Sequence, residues 1–180
     1  NSPRANMPFV EVNCAAIPST LLESEIFGYE AGAFTDARKR KIGLLESADG
    51  GTFLLDEIGD MNFHLQAKFL RVLEDGYIRR VGGTEKISIN VRFVFSTNKD
   101  LNKMVAEGTF REDLYYRISV VPVTVPALRE RPEDIILIAR YYIDEFNKKL
   151  MKKVKNISKE AETILKAYPW PGNVRELKNI

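Results

Sequence analysis

Two adjacent carboxylates, Asp56 and Glu57, directly follow the mainly apolar run Thr52 to Leu55. A short, uninterrupted run of this kind is typical of a buried strand in a parallel sheet. Open α/β sheets bind ligands beyond the carboxyl ends of their strands, where this pair would lie. In nucleotide hydrolases one such acid helps to hold Mg²⁺ on the phosphates, and another orients and deprotonates the attacking water. A strand that ends in a solvated turn is the alternative, which the pair alone does not exclude.

Three further segments carry polar groups suited to phosphate chemistry. Asn98 follows a second apolar strand, where it could hold the water or contact a terminal phosphate; a turn-forming asparagine is the plainer alternative. Arg111 and Arg117 lie six residues apart in a helical stretch, so a guanidinium there could reach a neighbouring subunit's phosphate, although surface salt bridges would also explain them. The string Tyr168 to Leu177 contains a Pro-Gly turn before a helix whose first turn presents Arg175.

The composition limits the classes of protein to be considered. The chain has 180 residues, 44% apolar and 29% charged, with 27 basic and 25 acidic side chains, which suits a globular domain with a small appendage. The near balance of charge argues against a dedicated nucleic-acid domain. A single cysteine, Cys14, builds no disulfide framework, and no apolar run approaches the ~20 residues that span a bilayer. We therefore expect a soluble cytoplasmic protein without membrane contact.

The pattern of elements predicts a parallel α/β sheet followed by a helical subdomain. Apolar runs predict four strands, over residues 9–13, 52–55, 91–96 and 120–125, and a hairpin over residues 77–89. Capping residues and helical spacing predict the helix starts, which are placed at Thr20 with Glu23 as a capping box, Asn62, Asp100, Glu112, Pro132, Ser158, and Asn173 with Glu176. Residues 29–43 lack periodicity and are predicted to form an exposed insertion.

These segments, in this order, resemble the AAA+ ATPase domain of sigma-54-dependent transcription activators, the bacterial enhancer-binding proteins. The resemblance covers essentially the whole chain. Residues Gly32-Ala33-Phe34-Thr35-Asp36-Ala37 are similar to the signature surface loop of that family, Gly-Ala-Phe-Thr-Gly-Ala, and the segments 110–117 and 128–131 are also similar to family signatures. The resemblance implies an AAA+ α/β subdomain over residues 1–128 and a helical lid over residues 129–180.

The resemblance also implies a role for each candidate residue of the nucleotide site. Asp56 is expected to hold Mg²⁺, and Glu57 to activate water. Asn13 matches an asparagine that holds the catalytic glutamate aside until nucleotide contacts release it. The expected site also includes the first sensor Asn98, the arginines Arg111 and Arg117 acting in trans with Arg117 the favoured finger, the second sensor Arg175 in the lid, and the strand start Gly50 and Gly51.

The implied partners follow from the same resemblance. The cofactors are ATP and Mg²⁺, and the intact protein is expected to form a ring of six or seven subunits. Phe34 and Thr35 match the loop tip that touches sigma-54, and the hairpin over residues 77–85 matches a second pore-facing loop. Hydrolysis would move the signature loop and remodel the closed promoter complex of sigma-54 RNA polymerase. Enhancer DNA would be bound by a carboxyl-terminal domain outside this chain.

This sequence departs from the family pattern in two places. It contains no phosphate-cradling Gly-x-x-x-x-Gly-Lys-Ser/Thr motif, which in the family lies just upstream of a segment like residues 1–9. We expect that loop and its strand to lie outside the chain, leaving a gap between the strands at Phe53 and Val120, and the chain alone to bind ATP poorly. The second departure is Asp36, where the family has glycine, so the aspartate is either tolerated or weakens sigma-54 contact.

Two rival functions are compatible with the same fold. One is a non-hydrolytic regulator of the same fold that acts through another form of polymerase; Asp36 favours it, and the intact acids Asp56 and Glu57 oppose it. The other is an AAA+ motor with an unrelated client, such as a chaperone or chelatase subunit. The near-match over residues 32–37 argues against that second rival.

Overall fold

The computed structural model describes residues 2–180, which divide into two compact units after Val121. The first unit holds the central sheet, and the second, from Pro122 to Ile180, is helical. The predicted boundary followed residue 128, seven residues beyond this division. Within residues 2–180 no helix is both long and apolar enough to cross a membrane.

Strands and helices alternate through the first unit, as the sequence predicts. The described strands are β1 (Phe9–Asn13), β2 (Gly28–Tyr29), β3 (Lys41–Ile42), β4 (Thr52–Asp56), β5 (Tyr77–Ile78), β6 (Ile87–Ser88) and β7 (Arg92–Phe95). The described α-helices are α1 (Ser19–Phe27), α2 (Leu44–Ser47), α3 (Phe63–Asp75), α4 (Leu101–Ala106), α5 (Glu112–Ile118), α6 (Pro132–Leu150), α7 (Lys159–Ala167) and α8 (Asn173–Asn179). Short 3₁₀ turns span Ile58–Asp60 and Leu128–Glu130.

The central sheet has three parallel strands in the order β1-β4-β7. The pairing places Asn13 opposite Asp56 at one end of β1 and β4, and Leu55 opposite Phe95 between β4 and β7. Parallel strands bring their carboxyl ends to the same edge, so the polar residues that follow these strands lie side by side. The prediction of a parallel sheet flanked by helices is confirmed.

The core lies on the face of β4 that carries Phe53 and Leu55, both fully buried. Alternate residues of a strand point to opposite faces, and Leu54 on the other face is only half-buried. Phe69 from α3 packs edge-on against Phe93 of β7, at 5.5 Å between ring centroids. Such edge-to-face pairs stabilise a core by about 1 kcal/mol beyond their buried area, so the aromatic contact fixes α3 against the sheet.

Several predicted helix starts are confirmed by their capping bonds. The side chain of Asn62 accepts a hydrogen bond from the backbone N–H of Leu65, and Asp100 and Ser158 accept equivalent bonds at the starts of α4 and α7. Pro132 occupies the first position of α6, where its missing N–H costs no hydrogen bond.

Two of the predicted caps are wrong. Helix α1 begins at Ser19, because the backbone N–H groups of its first turn donate to the Pro18 carbonyl, and Thr20 lies within the helix rather than capping it. At α8 the side chain of Asn173 accepts from Leu128 N–H instead. Its predicted partner Glu176 does close the helix start, since its carboxylate accepts from Gly172 N–H at 2.9 Å.

The predicted strand over residues 120–125 is also wrong: this segment has no regular structure. Val120, Val121, Val123 and Val125 are each at least 74% exposed. The expected gap beside Phe53 is misplaced too, because β4 is paired on both sides, by β1 and β7. The strands of the central sheet with a partner on one side only are β1 and β7. A strand needs a hydrogen-bonding neighbour, and none reaches residues 120–125 within the described part of the chain.

The second unit has a small core of its own around Trp170, which is 2% exposed. The indole N–H donates to the Leu165 carbonyl at 2.7 Å, so the one polar atom of this buried ring is satisfied. Around it pack Leu128, Ile135, Ile136, Ala139 and Leu177.

Gly51 provides a test of the packing at the amino end of β4. A Cβ at Gly51 would lie 2.0 Å from the Pro8 carbonyl oxygen, whereas one at Gly50 would meet no atom within 4 Å. We expect Gly51→Ala to lower the free energy of unfolding by about 3 kcal/mol, because backbone must move. Gly50 has a φ of +76°. As a matched control, Gly50→Ala should cost about 1 kcal/mol of backbone strain. Equal losses in urea titration would contradict the packing argument.

Candidate functional site

The carboxylate of Asp56 is held between two side chains from the neighbouring strands. The Asn13 amide Nδ2–H donates to Oδ2 at 2.8 Å, and the Ser96 hydroxyl donates to Oδ1 at 2.7 Å. Both bonds follow from the register: Asn13 pairs with Asp56 across β1, and Ser96 comes one residue after the Leu55–Phe95 pair. The carboxylate is therefore fixed at the carboxyl edge of the sheet before any ligand arrives.

Glu57 leaves the sheet in a left-handed backbone conformation, with φ 54° and ψ 50°. This conformation costs a non-glycine residue about 1–2 kcal/mol and occurs often at functional sites. The turn places the Glu57 carboxylate next to the strand end of β7, where Oε2 accepts from the backbone N–H of Asn98 at 3.2 Å. The carboxylates of Asp56 and Glu57 therefore lie at the same edge of the sheet.

The two carboxylates supply the oxygen ligands that Mg²⁺ prefers. Each oxygen of Asp56 accepts one hydrogen bond and keeps further lone-pair capacity. Among residues 2–180 there is no group of three or more His, Cys, Asp or Glu side chains placed to hold a metal ion. Mg²⁺ is commonly bound by one or two carboxylates together with substrate phosphates and water, rather than by a complete protein cage. The Asp56 and Glu57 pair fits that kind of site.

The structure corrects one predicted contact and reveals one missed residue. Asn13 was expected to hold Glu57, but its amide donates to Asp56, because the register sets these two residues opposite each other. Ser96 was not singled out, although it stands in the polar strand end that drew attention to Asn98. Extending the pairing of β4 with β7 by one residue beyond Leu55 and Phe95 places Ser96 opposite Asp56. Asn98 itself reaches the edge through its backbone N–H.

Gly50 and Gly51 are not brought to this edge. They precede β4, whereas Asp56 ends it, so about 20 Å of extended chain separates Gly50 from the carboxylates. Gly50 adopts a left-handed φ of 76°, and the N–H of Gly51 donates to the Ala48 carbonyl. Both glycines shape the turn into the strand.

The predicted arginines lie on other surfaces of the chain. Arg111 makes two hydrogen bonds to the Asp113 carboxylate, at 2.7 and 3.0 Å, and these bonds lower the pKa of Asp113 below its usual range. The guanidinium of Arg117 donates to the Leu73 carbonyl at 2.9 Å. Neither arginine contacts Asp56 or Glu57 within the described chain. Arg175 is exposed on α8 of the second unit.

Cys14 is a buried thiol beside the acidic edge. It follows Asn13 directly, is 4% exposed, and its backbone N–H donates to the Asp56 carbonyl. Burial, together with the negative charges of Asp60, Asp56 and Glu57, raises the pKa of this thiol to about 12. The thiol therefore stays protonated in the folded protein, and it acts as a small apolar side chain rather than a nucleophile.

The signature loop over residues 32–37 is closed by its own backbone. The N–H of Gly32 donates to the Ala37 carbonyl at 2.7 Å, and Ala37 is 3% exposed, so the base of the loop is anchored. At the tip, the Phe34 ring packs edge-on against Tyr29 and remains 45% exposed. Thr35 and Asp36 are exposed beside it. The tip therefore presents an aromatic ring, a hydroxyl and a carboxylate.

A buried arginine joins the base of this loop to the hairpin β5–β6. The guanidinium of Arg80, from the hairpin, donates to Glu30 at 2.7 Å and to Glu46 of α2 at 2.8 Å. The hydrogen bond to Glu30 is the main cause that raises the pKa of Arg80. The Cβ position of Gly82 lies 2.7 Å from the Cβ of Ala33, so the hairpin tip also touches the signature loop. The two loops form one connected surface.

Comparison with known proteins identifies the family. The Sigma-54 interaction domain family matches residues 1–124, and the AAA+ ATPase lid domain family matches residues 129–180. The first match covers more than half of the chain, so this chain belongs to the Sigma-54 interaction domain family.

Individual relatives agree with this family. Regulatory protein AtoC of Escherichia coli strain K12 is 49% identical over 180 residues, which are 100% of this chain and 39% of AtoC. NtrC of Rhizobium meliloti strain 1021, a DNA-binding transcriptional regulator, is 51% identical over 98% of this chain and 36% of its own length. The crystal structure of NtrX from Brucella abortus with ATP superimposes with a TM-score of 0.90 at 45% identity, covering 98% of this chain and 38% of NtrX. The chain spans less than half the length of these relatives.

The pKa of Cys14 gives a prediction about alkaline stability. The folded thiol keeps its proton up to about pH 12, whereas an unfolded thiol releases it near pH 8.5. Below about pH 8.5 the thiol is protonated in both states, so it adds no pH dependence to the free energy of unfolding. Above that pH only the unfolded thiol loses its proton, and the free energy of unfolding falls as the pH rises. Urea titrations above pH 8.5 should show wild type losing unfolding free energy faster than Cys14→Ala, by up to about 1.4 kcal/mol per pH unit. Parallel curves for the two proteins would contradict the burial argument.

Proposed function

We propose that this chain is the ATP-hydrolysing part of a longer sigma-54-dependent activator that remodels sigma-54 RNA polymerase at promoters. Its membership of the Sigma-54 interaction domain family supports this function. The observation that carries the hydrolytic part is the pair Asp56 and Glu57 at one edge of the parallel sheet, with Asp56 already bonded by Asn13 and Ser96. A non-hydrolytic regulator would not need this arrangement.

The proposed nucleotide is ATP with Mg²⁺. NtrX of Brucella abortus has been solved with ATP and with ADP, and this chain is 45% identical to it over 98% of its residues. Asp56 would hold Mg²⁺, whose charge would neutralise the phosphates. Asn13 and Ser96 would orient the carboxylate that faces the metal, in the way that outer partners commonly orient metal ligands. Glu57 would accept a proton from the attacking water, and Asn98 would lie beside it.

A phosphate-binding loop is also required, and these 180 residues contain no Gly-x-x-x-x-Gly-Lys-Ser/Thr motif. Backbone N–H groups and the lysine of that motif hold the phosphates, so the chain by itself is expected to bind ATP weakly and to hydrolyse it poorly. The proposed activity therefore belongs to a protein that joins this chain to such a loop. The edge formed by Asp56 and Glu57 would complete the site.

Arg117 is proposed to act on the nucleotide of a neighbouring subunit. It has no contact with Asp56 or Glu57 within the described chain and lies exposed at the end of α5. An interface that places Arg117 of one subunit beside the acids of the next is head-to-tail, and such interfaces form rings when the rotation between subunits closes. We propose a ring of six or seven subunits, in which Arg111 lies near the same interface and Arg175 contacts nucleotide from the lid.

Mixing two inactive variants tests this arrangement. In a protein that carries the phosphate-binding loop, Glu57→Gln and Arg117→Ala should each lower ATP turnover at least about 100-fold. In mixed rings, however, an Arg117→Ala subunit keeps Glu57 and can receive Arg117 from a Glu57→Gln neighbour. An equal mixture should therefore recover up to about a quarter of wild-type turnover, the share of such interfaces in random rings.

The control for the mixing experiment is the double variant carrying both substitutions, mixed with Glu57→Gln. No interface in that mixture combines an intact Glu57 with an intact Arg117, so turnover should stay low. If the equal mixture of single variants also stays inactive while rings still assemble, Arg117 does not act in trans.

The signature loop is the proposed contact with sigma-54. The exposed tip at Phe34 and Thr35 offers an apolar ring beside a hydroxyl, and the anchored base around Gly32 and Ala37 can transmit a movement of the loop. Asp36 stands at a position with no left-handed φ, so its backbone is not strained relative to glycine. Any effect of Asp36 on the partner should therefore come from its charge.

Substitution of Asp36 tests this expectation. In a protein that joins this chain to a phosphate-binding loop, with an ATP transition-state analogue bound, Asp36→Gly and Asp36→Asn should both tighten sigma-54 binding about twofold to fivefold, the size expected for one exposed repulsive charge. The asparagine variant is the matched control, because it removes the charge and keeps the side-chain shape. An unchanged affinity in both variants would show that the aspartate is simply tolerated. Tightening by glycine alone would make backbone freedom the cause.

A further inference from the structure

The second unit carries a concentration of positive charge that the proposed ATPase does not use. Residues 146–159 contain six lysines and no acidic residue. Every one of these lysines is exposed, and within residues 2–180 none of them forms an ion pair. They are Lys148, Lys149, Lys152, Lys153, Lys155 and Lys159. We name residues 147–155 the lysine loop.

The lysine loop is fixed by one side chain. The Asn147 amide donates to the Val154 carbonyl at 2.8 Å, and its oxygen accepts from the Val154 N–H at 2.9 Å. Between these ends, the N–H of Lys152 donates to the Asn147 carbonyl at 3.0 Å, and Met151 adopts a left-handed φ of 51°. A connection between two helices could be loose, but this one is clamped, so its lysines are displayed on a fixed backbone.

Helix stabilisation explains only some of these charges. Lys148 and Lys149 lie in the last turn of α6, where cations interact favourably with the helix dipole. Lys152, Lys153 and Lys155 lie beyond the helix and have no such role. Bringing like charges together costs electrostatic energy, so a clamped loop with unpaired lysines is suited to an anionic partner that neutralises several of them at once.

We propose that the lysine loop binds the phosphate backbone of duplex DNA without sequence preference. Lysine ammonium groups bind phosphates as point charges, and each phosphate neutralised releases counterions, which favours association. A lipid surface is the less suited partner. Interfacial membrane binding uses a helix with a continuous apolar face, whereas here the exposed apolar side chains among the lysines are limited to Leu150, Met151 and Val154. The choice of DNA rests on the proposed function, which places the protein at promoters.

The test uses the full chain and a labelled random-sequence duplex, without nucleotide or sigma-54. Fluorescence anisotropy would give the binding constant between about 50 and 200 mM salt, and the plot of log affinity against log salt should have a slope of about −0.9 per contacted phosphate. Lys152→Gln with Lys153→Gln should reduce that slope by about 1.8, corresponding to loss of two phosphate contacts. Circular dichroism would establish that each variant is folded.

The matched control removes two charges from the same unit outside the lysine loop, by Lys159→Gln with Lys166→Gln. This variant should keep the wild-type slope. Asn147→Ala keeps every charge but releases the clamp, and it should weaken binding less than the loss of Lys152 and Lys153. Equal slopes for the two double variants, or tighter binding to vesicles containing anionic phosphatidylserine than to the duplex, would overturn the proposal. Because the assay contains no ATP, its failure would leave the proposed ATPase untouched.

Discussion

The fixed position of the Asp56 carboxylate is the constraint on which the rest of the site depends. It exists because β1, β4 and β7 are parallel and in one register, which sets Asn13 on one side of Asp56 and Ser96 on the other. A shift of one residue in either pairing would turn these side chains to the opposite face. The packing that holds the register, from Phe53 and Leu55 in the core, is therefore also what positions the chemistry.

Two residues beside that carboxylate occupy positions that lower the stability of the fold. Glu57 occupies a left-handed conformation that glycine would adopt more cheaply, and Cys14 lies buried against a group of negative charges. Elsewhere the fold balances its charges locally, as where Arg80 is buried between Glu30 and Glu46. That ion network ties the hairpin to the base of the signature loop. A movement of one loop would therefore shift the other.

Much of the fold could be predicted from the sequence, because helix caps and apolar runs depend on neighbouring residues and not on distant parts of the chain. Asn62, Asp100 and Ser158 cap helices where their side chains predict it, and the apolar run before Asp56 forms the central strand. Strand 120–125 was predicted wrongly because a strand needs a partner, which local pattern does not reveal. Likewise the bond from Asn13 to Asp56 and the role of Ser96 depend on register, a property of two strands together.

The claim that Asp56 and Glu57 face the nucleotide phosphates can be tested directly by anomalous diffraction. Crystals of a protein that joins this chain to a phosphate-binding loop would be grown with Mn²⁺ and a non-hydrolysable ATP analogue. The anomalous peak should lie within about 4.5 Å of an Asp56 oxygen, either bound directly or through one water. A peak at full occupancy elsewhere, with Asp56 still bonded only to Asn13 and Ser96, would contradict the account.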